Sequence, residues 1–437
     1  MGETMATALD TRVPVLVFTM SSYDLQHGTL GVVRSLGRMG VRVYPVVGGR
    51  FTPVALSRYS AGSLVWKPYR ECDEQVVHGL GTLGKRLGRP TILIPADDQA
   101  AVLVAEHSAQ LAEWFVYPQL PLQLPRKVAD KRCLYCLCKN LGVPCPEAAF
   151  VSSLDELHDF AERTAFPVVV KAATREQVPP GAQSTSIART PDELFALYRQ
   201  IRTPGNTEVI LQEYLPSDSA EDWIFHGYCN PKTNCFLGFT GKKLRSYPAF
   251  AGQTALGIPV ENEALLRQTE KLLKGIGYAG IVDLDYRFDR RDGKYKLLDF
   301  NPRMGANLRL FENAEGVDVV RALHLDLSGR TVPIAPMLTN RKFIVECLDL
   351  PAAVQYMRRG SLTLRGWLAS LKGPREVAWF CVDDPLPALN MSLRILFRGL
   401  AHAVRAVLRL SRIDRLRRAS ATLPERQENA VGARGIL

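Results

Sequence analysis

Several features that define membrane-spanning or secreted proteins are missing from this sequence. No run of about 18 apolar residues occurs in the 437-residue chain, so no transmembrane helix is predicted. The opening residues, MGETMATALD, lack a basic segment before an apolar stretch, which argues against a secretory signal. The nine cysteines are odd in number and show no disulfide-like framework, so we expect reduced thiols and a cytoplasmic protein.

Common catalytic and binding signatures are missing too. No Gly-x-Gly-x-x-Gly follows the first apolar segment, so no dinucleotide site is predicted. No Ser-His-Asp or Cys-His arrangement is evident. One short stretch looks zinc-like, but its thiols lie in a helical pattern without a second paired knuckle, which favours buried thiols over a metal site. These thiols are Cys133, Cys136, Cys138 and Cys145.

The apolar pattern predicts an α/β fold that begins with a parallel sheet. Strand Val13–Thr19, helix Thr29–Met39 and strand Val41–Val47 form a βαβ unit. Strand Thr91–Pro95 follows, and ligands of open α/β sheets bind at the carboxyl ends of such strands. Substrate contact and ordinary loop or helix-cap roles are both open for the polar residues there, with the ordinary roles the commoner outcome. These residues are Ser21, Ser22, Asp97 and Asp98.

A hairpin of acidic residues is predicted over Gly280–Arg303. Ile281–Phe288 alternates in polarity, a turn ending at Gly293 follows, and Lys294–Asn301 reads as the second strand. Carboxylates opposed across a hairpin repel unless a cation lies between them, and Mg²⁺ prefers such oxygen ligands. A solvated acidic hairpin is the alternative. The residues predicted to meet are Asp283, Asp285, Asp299 and Asn301, with Arg303 just beyond.

Four further segments contribute to the pattern: two predicted strands, one predicted helix and one polar loop. Pro167–Ala172 is an apolar strand with one lysine, Lys171, which needs a partner or a ligand anion. The polar loop Thr174–Ser186 follows it. Lys131 opens a predicted helix, and Glu208–Leu215 reads as a strand.

Taken together, these residues in this order resemble the ATP-grasp superfamily, and most closely its carboxylate–amine ligase branch. The resemblance implies ATP and Mg²⁺ (or Mn²⁺) as cofactors and a loop over Thr174–Ser186 that closes on ATP. The family usually has glutamates where this chain has two aspartates as metal ligands. The implied metal ligands are Asp285, Asp299 and Asn301, with Asp283 a substitute for Asp285. The implied nucleotide contacts are Lys131, Lys171, Glu213, Tyr214, Leu215 and Glu221, and the implied catalytic residues are Arg303 and Lys171. Lys243 and Arg245 are candidate contacts to an acidic substrate, with surface charge the alternative.

The same resemblance implies a domain order. We expect a Rossmann-like domain over 11–120, then an ATP-grasp domain over 121–330, then an extension over 331–437. Within the ATP-grasp domain, the small subdomain is expected at about 126–207 and the large subdomain at about 208–330.

The implied activity is an ATP-dependent ligase that activates a carboxylate as an acyl phosphate and joins it to an amine. Two alternatives stay open: an ATP-dependent carboxylase, and a non-catalytic nucleotide-binding scaffold at a membrane surface. The small-molecule acid and amine cannot be identified from the sequence. Homodimers are common among such enzymes.

Basic charge is concentrated near the C-terminus. Met391–Arg418 holds eight arginines and one aspartate, which accounts for seven of the eleven net positive charges. A helix here would carry a basic and an apolar stripe, which suits an anionic membrane at the inner face or docking on the protein's own body. No aromatic residues interleave with the basic stripe, so no nucleic-acid partner is expected. Ser420–Leu437 is predicted to be disordered.

Overall fold

The computed structural model describes residues 8–88, 90–172, 185–201, 208–216, 220–232, 234–250, 252–373 and 375–398. Within these ranges the strands form three sheets. Parts of three predicted segments lie outside the described residues: the loop within 174–186, the basic helix beyond 398, and the tail over 420–437.

The N-terminal sheet is parallel, with strand order β3-β2-β1-β4. Its elements are β1 (Val15–Phe18), α1 (His27–Gly37), β2 (Val43–Val47), β3 (Leu64–Val65), α2 (Asp73–Leu87), β4 (Ile92–Pro95), α3 (Asp98–Glu106) and α4 (Ser108–Leu111). The central strand β1 is buried along its whole length, which explains its continuous apolar sequence. The predicted βαβ unit is confirmed.

The small subdomain follows two connecting helices, α5 (Leu124–Ala129) and α6 (Lys131–Leu141). Its elements are β5 (Ala148–Val151), α7 (Leu154–Arg163), β6 (Val168–Ala172), β7 (Thr185–Ala188), α8 (Pro191–Ile201) and β8 (Val209–Glu213), and its antiparallel sheet has the order β5-β8-β6-β7. Both α7 and α8 begin at capping residues: Ser153 accepts from the amide of Glu156, and Thr190 from that of Glu193. This subdomain has a hydrophobic core of its own.

The large sheet is mostly antiparallel and has the order β13-β12-β9-β10-β11-β14-β15. Its elements, with two helices among them, are β9 (Ala220–Asn230), β10 (Cys235–Tyr247), β11 (Gln253–Pro259), α9 (Glu263–Gly275), β12 (Gly280–Asp289), β13 (Lys294–Asn301), α10 (Val319–Leu327), β14 (Phe343–Ile344) and β15 (Glu376–Val377). Most of the segment over 241–257, which contains Lys243 and Arg245, pairs as β10 and β11.

The C-terminal extension is built into this sheet. β14 pairs with β11 and β15 pairs with β14. Between and after these strands lie α11 (Glu346–Arg358), α12 (Leu364–Ser370) and a helix over 386–398, which we number α13. The buried guanidinium of Arg34 in α1 contacts the carboxylate of Asp384 at 2.9 Å and the carbonyl of Trp379 at 2.7 Å. The extension therefore packs against the body of the protein.

One hydrophobic core joins the N-terminal domain to the large sheet. It contains Val15 and Val17 of β1, Ile224 and Tyr228 of β9, and Trp379 of the extension. These parts are therefore one packed unit, whereas the small subdomain is a separate lobe.

The cysteines and helices of the described ranges also bear on the sequence predictions. Cys138 is buried and Cys145 is partly buried, but Cys133 and Cys136 are exposed. The expectation of four buried thiols was wrong, because α6 buries the stripe of Leu134 and Cys138 while Cys133 and Cys136 fall on its other faces. No described helix has the length and apolar character needed to cross a bilayer.

Candidate active site

The two strands of the acidic hairpin pair as the sequence predicts. β12 and β13 run antiparallel, with Asp285 opposite Asp299 and Asp283 opposite Asn301. Gly293 closes the turn at a φ of 68°, a conformation that glycine adopts without strain. Residues opposite each other in a sheet share a face, so the two pairs present their oxygen atoms side by side.

Neighbouring side chains engage both carboxylate oxygens of Asp283. Oδ1 lies 2.8 Å from Nε2 of His226, and Oδ2 accepts from Nη1 of Arg303 at 3.1 Å. Asn301 also donates to the backbone oxygen of Asp283 at 3.1 Å. Burial opposes ionisation of Asp283, but His226 and Arg303 outweigh it and lower its pKa to about 2. Asp283 therefore orients Arg303 and Asn301, and Asp285 is the β12 carboxylate better placed for a cation.

His226 also belongs to the site, although its role was not predicted from the sequence. It is 1% exposed in the middle of β9, and its ring lies beside Asp283. The signal in the sequence is a single ionisable side chain within the apolar run of this strand. Gly305 passes directly over the pair, because a Cβ atom there would lie 2.4 Å from His226 and 2.8 Å from Asp283.

Asp285 has a lysine as its counter-ion. Nζ of Lys243, from β10, lies 2.7 Å from Oδ1 of Asp285. Burial opposes the charge on Lys243, but Asp285 and Asp222 outweigh it and raise the pKa of this lysine. The predicted contact of Lys243 with a bound acidic group would thus be made from a position already beside the hairpin carboxylates.

The hairpin also fits a divalent cation. Asp285, Asp299 and Asn301 offer carboxylate and amide oxygens on one face, and a cation bound there would share Asp285 with Lys243. Within the described ranges, no three His, Cys, Asp or Glu side chains converge as a metal cage. Mg²⁺ usually takes only one or two carboxylates and completes its shell with water and phosphate oxygens, so this donor set suits it.

Two lysines, Lys171 of the small lobe and Lys131 of the connecting helix α6, lie within electrostatic range of one another. Nζ of Lys171 donates to Oε1 of Gln212 at 2.5 Å. Burial and repulsion from Lys131 lower the pKa of Lys171 to about 8, while Asp299 acts in the opposite direction. Lys131 is the first residue of α6, whose start is capped by Asp130. Lys171 thus lies within electrostatic range of a second ammonium group and of one carboxylate, an arrangement suited to an anion.

The two glutamates predicted to contact a nucleotide are both paired with cations. Glu213, at the end of β8, contacts Nη2 of Arg291 at 2.6 Å and Nζ of Lys296 at 3.1 Å. Glu221 contacts Lys242 and Arg290, each at 2.6 Å. Arg290 and Arg291 belong to the turn of the acidic hairpin. This turn therefore lies beside both glutamates, at the connection between the two lobes.

The two residues that follow β8 differ in how far they are exposed to solvent. Tyr214 is half-buried, and Leu215 is buried at 3% exposure. The carbonyl of Leu215 accepts from Nη1 of Arg287 at 3.3 Å, so β12 fixes this connection. The backbone of this connection lies between the two lobes, and Tyr214 and Leu215 within it are the residues expected to contact a nucleotide.

Arg303 is the point at which the N-terminal domain meets the hairpin. Its Nε lies 3.3 Å from Oδ1 of Asp98, and its Nη2 donates to Oδ1 of Asn301 at 2.9 Å. Asp97, in contrast, is the cap of α3 and also accepts from the hydroxyl of Thr19 at 2.6 Å. Of the two neighbouring aspartates, Asp97 has the ordinary cap role and Asp98 reaches the site.

Arg245 lies away from the hairpin. It is 3% exposed and forms an ion pair with Asp349 of α11 at 2.7 Å. It also donates to the hydroxyl of Ser370 at 2.8 Å. Of the two cations predicted to contact substrate, the structure brings only Lys243 to the carboxylates.

Several known proteins resemble this chain in sequence or in fold. No family model matches the chain. D-aspartate ligase of Enterococcus faecium (strain Aus0004) is 25% identical over 240 residues, covering 53% of this chain and 57% of the ligase. The carbamoyl phosphate synthase large chain of Methanosphaerula palustris is 22% identical over 222 residues, covering 47% of this chain and 20% of the synthase. The chain thus spans less than two thirds of either relative.

A solved structure shares the fold. The biotin carboxylase domain of the Hydrogenobacter thermophilus 2-oxoglutarate carboxylase, in complex with MgADP, ADP and bicarbonate, superposes with a TM-score of 0.56 at 16% identity, covering 75% of this chain and 73% of that domain. The protein therefore has the ATP-grasp fold that the sequence predicts. Together with the two relatives, this fold indicates the ATP-grasp superfamily, and within it the carboxylate–amine ligase branch, as the proteins that the chain resembles.

Proposed function

We propose that this protein is an ATP-dependent ligase that joins a carboxylate to an amine. A carboxylate oxygen attacks the γ-phosphorus of ATP, which forms an acyl phosphate and releases ADP. The amine then attacks the acyl carbon, the amide bond forms, and inorganic phosphate leaves with the amine's proton. Such steps depend on positioning and charge neutralisation more than on a protein nucleophile.

One observation carries this proposal: Lys171 lies within electrostatic range of both Lys131 and the hairpin residue Asp299. The mutual repulsion of the two lysines helps to lower the pKa of Lys171 to about 8. The phosphates of a nucleoside triphosphate bound between the two lysines would relieve this repulsion. They would also lie close to the carboxylate and amide oxygens of the acidic hairpin. A surface cluster of charges would not need one lysine to be partly buried within an apolar strand.

The chain's residues divide into three roles. Asp285, Asp299 and Asn301 would hold Mg²⁺, which neutralises phosphate charge when bound. Lys131 and Lys171 would orient the phosphates. Arg303, held by Asp283 and Asp98, would stabilise negative charge where the carboxylate meets the γ-phosphate.

The nucleotide ring would lie at the connection between the lobes. Backbone groups of Tyr214 and Leu215 would read its edge. The carboxylates of Glu213 and Glu221 would accept from the adenine amino group and the ribose, sharing these bonds with their present cationic partners.

ADP release tests the proposal. The purified full-length chain would be incubated with MgATP, a panel of amino acids and a panel of carboxylates. Release that requires both an acid and an amine supports the ligase. Release with bicarbonate and no amine would instead identify an ATP-dependent carboxylase. Nucleotide binding without release under any condition would identify a nucleotide-binding scaffold. Asp299→Asn and Lys171→Ala are the site variants, and Asp159→Asn on exposed α7 is the matched control.

We further propose that the protein is cytoplasmic and contacts an anionic membrane surface through α13. Six apolar side chains of this helix are between 40% and 64% exposed: Leu386, Leu389, Leu393, Ile395, Leu396 and Phe397. Arg394 ties the helix to the body by contacting Asp24 at 3.1 Å. The apolar face together with the basic sequence that follows suits a membrane whose lipids carry negative charge.

A further inference from the structure

A pocket lies beside Arg303 at the junction of the N-terminal domain and the hairpin. It encloses about 530 Å³ of space, part of it open to solvent. Its walls come from β4, α3, the segment after α4 and the residues that lead into β12.

The walls of this pocket are apolar. Side chains that line it include Ile94, Ala101, Ala105, Ala279 and Met304. Two tyrosines also line it, but their hydroxyls are already satisfied: Tyr117 donates to the carbonyl of Ser108 and Tyr278 to that of Ile281, each at 2.7 Å. A polar or charged group placed here would lose water without gaining partners.

The charged groups stand at one end of the pocket. Arg303 is the one charged residue among the pocket's described lining residues. Asp98 pairs with it at 3.3 Å and lies one turn before Ala101 on α3, so both residues fall on the same side of that helix. Oδ1 of Asp98 is buried and makes no hydrogen bond of good geometry. The pocket thus offers one cation and an apolar wall, and the carboxylate paired with that cation has an incompletely satisfied oxygen.

From this arrangement we infer that one substrate of the ligation is an α-amino acid with an aliphatic side chain. The carboxylate lies at Arg303, the ammonium group lies at Asp98, and the side chain fills the pocket. The inference rests on the proposed ligase reaction and names a substrate class for it. It also separates this chain from a D-aspartate ligase, because an aspartate side chain would bring an unpaired charge against the apolar wall.

Substrate selectivity of the wild-type chain tests the inference. ADP release and equilibrium binding would be measured with both enantiomers of alanine, valine, leucine and aspartate. Each buried methylene strengthens binding about fourfold, so leucine should exceed alanine by up to roughly 50-fold in kcat/KM. Equal or greater activity with aspartate overturns the inference and leaves the ligase reaction standing. Leucine binding in the presence of MgADP without ADP release supports the pocket and overturns the ligase.

Variants separate the pocket from general stability. Ala105→Leu fills the pocket and should raise the KM for leucine at least tenfold while the KM for ATP and activity with alanine change little. Ala109→Leu is the matched control, since it makes the same change at an exposed position of α4. Asp98→Asn should raise the KM for every amino acid alike. An unchanged leucine KM in folded Ala105→Leu, or in Asp98→Asn should the first variant not fold, overturns the inference.

Discussion

Nε2 of His226 lies 2.8 Å from Oδ1 of Asp283, at the centre of the large sheet and out of contact with solvent. The other oxygen of Asp283 holds Arg303. The orientation of the candidate catalytic arginine therefore depends on a histidine one strand away from the hairpin.

Replacing this histidine should cost both stability and activity. His226→Ala leaves Asp283 buried with one partner fewer, and we expect the free energy of unfolding to fall by roughly 3 kcal/mol at pH 7. The lowered pKa of Asp283 means that its pairing stabilises the fold above pH 4 and that this stabilisation is lost as the pH falls through about 2. The difference from wild type should therefore shrink in acid.

Urea denaturation across a pH series measures this effect. His78→Ala, at an exposed position of α2, is the control and should change stability by less than about 0.5 kcal/mol. A variant of His226 as stable as the control would show that the pair contributes nothing to the fold.

Nucleotide affinity should decline in alkaline solution because of Lys171. Its pKa of about 8 means that the ammonium loses its proton above that pH, and the neutral amine no longer attracts phosphate. A bound phosphate would raise this pKa, so the affinity for ADP should fall by up to about tenfold per pH unit above pH 8. Isothermal titration at pH 7, 8 and 9 checks this, and Lys171→Arg should remove the dependence because arginine stays protonated.

Magnesium dependence should distinguish the two aspartates of β12. Asp285→Asn removes a proposed ligand, and we expect the Mg²⁺ concentration for half-maximal ADP release to rise more than tenfold. Asp283→Asn instead loosens Arg303, so kcat should fall with little change in that Mg²⁺ concentration. The reverse result would make Asp283 the ligand.

The contact between Arg34 and Asp384 should be a major source of stability. Asp384→Ala leaves the guanidinium buried without a counter-ion, which typically costs about 3–5 kcal/mol. The exposed pair of Asp159 and Arg163 is the comparison, since Asp159→Asn should cost less than about 0.5 kcal/mol. Denaturant unfolding of both variants measures the difference. Similar losses in the free energy of unfolding would show that the buried pair contributes no more to stability than the exposed one.

Membrane binding through α13 should be selective for anionic lipid. Sedimentation with vesicles of phosphatidylserine and phosphatidylcholine should recover the chain, and vesicles of phosphatidylcholine alone should not, since each arginine near an anionic surface contributes about 1 kcal/mol. Replacing Leu396 and Phe397 with serine should reduce binding. Equal recovery with both vesicle types would exclude an electrostatic contact.

The hairpin could be predicted from the sequence because its information is local. Alternation, the turn at Gly293 and the proline after Asn301 fix the register within one short segment. Lys243 and Arg245 show where such reasoning fails. In an unbroken strand they would share a face, but β10 has register shifts between and after them, and only Lys243 reaches the hairpin.

The partners of distant residues were beyond local patterns. His226, Asp98 and Asp384 acquire their contacts across 57, 205 and 350 residues of chain, to Asp283, Arg303 and Arg34 respectively. The helix α11 was missed because Pro351 lies within it and interrupts the helical pattern.

The addition of β14 and β15 to the large sheet bears on where this protein can be shortened. A chain cut near residue 330, at the expected end of the ATP-grasp domain, would leave the backbone groups of β11 uncovered along an open edge. Such an edge invites pairing between copies and aggregation. Any soluble fragment of this protein should therefore extend past Asp384, even though the proposed active-site residues end at Arg303.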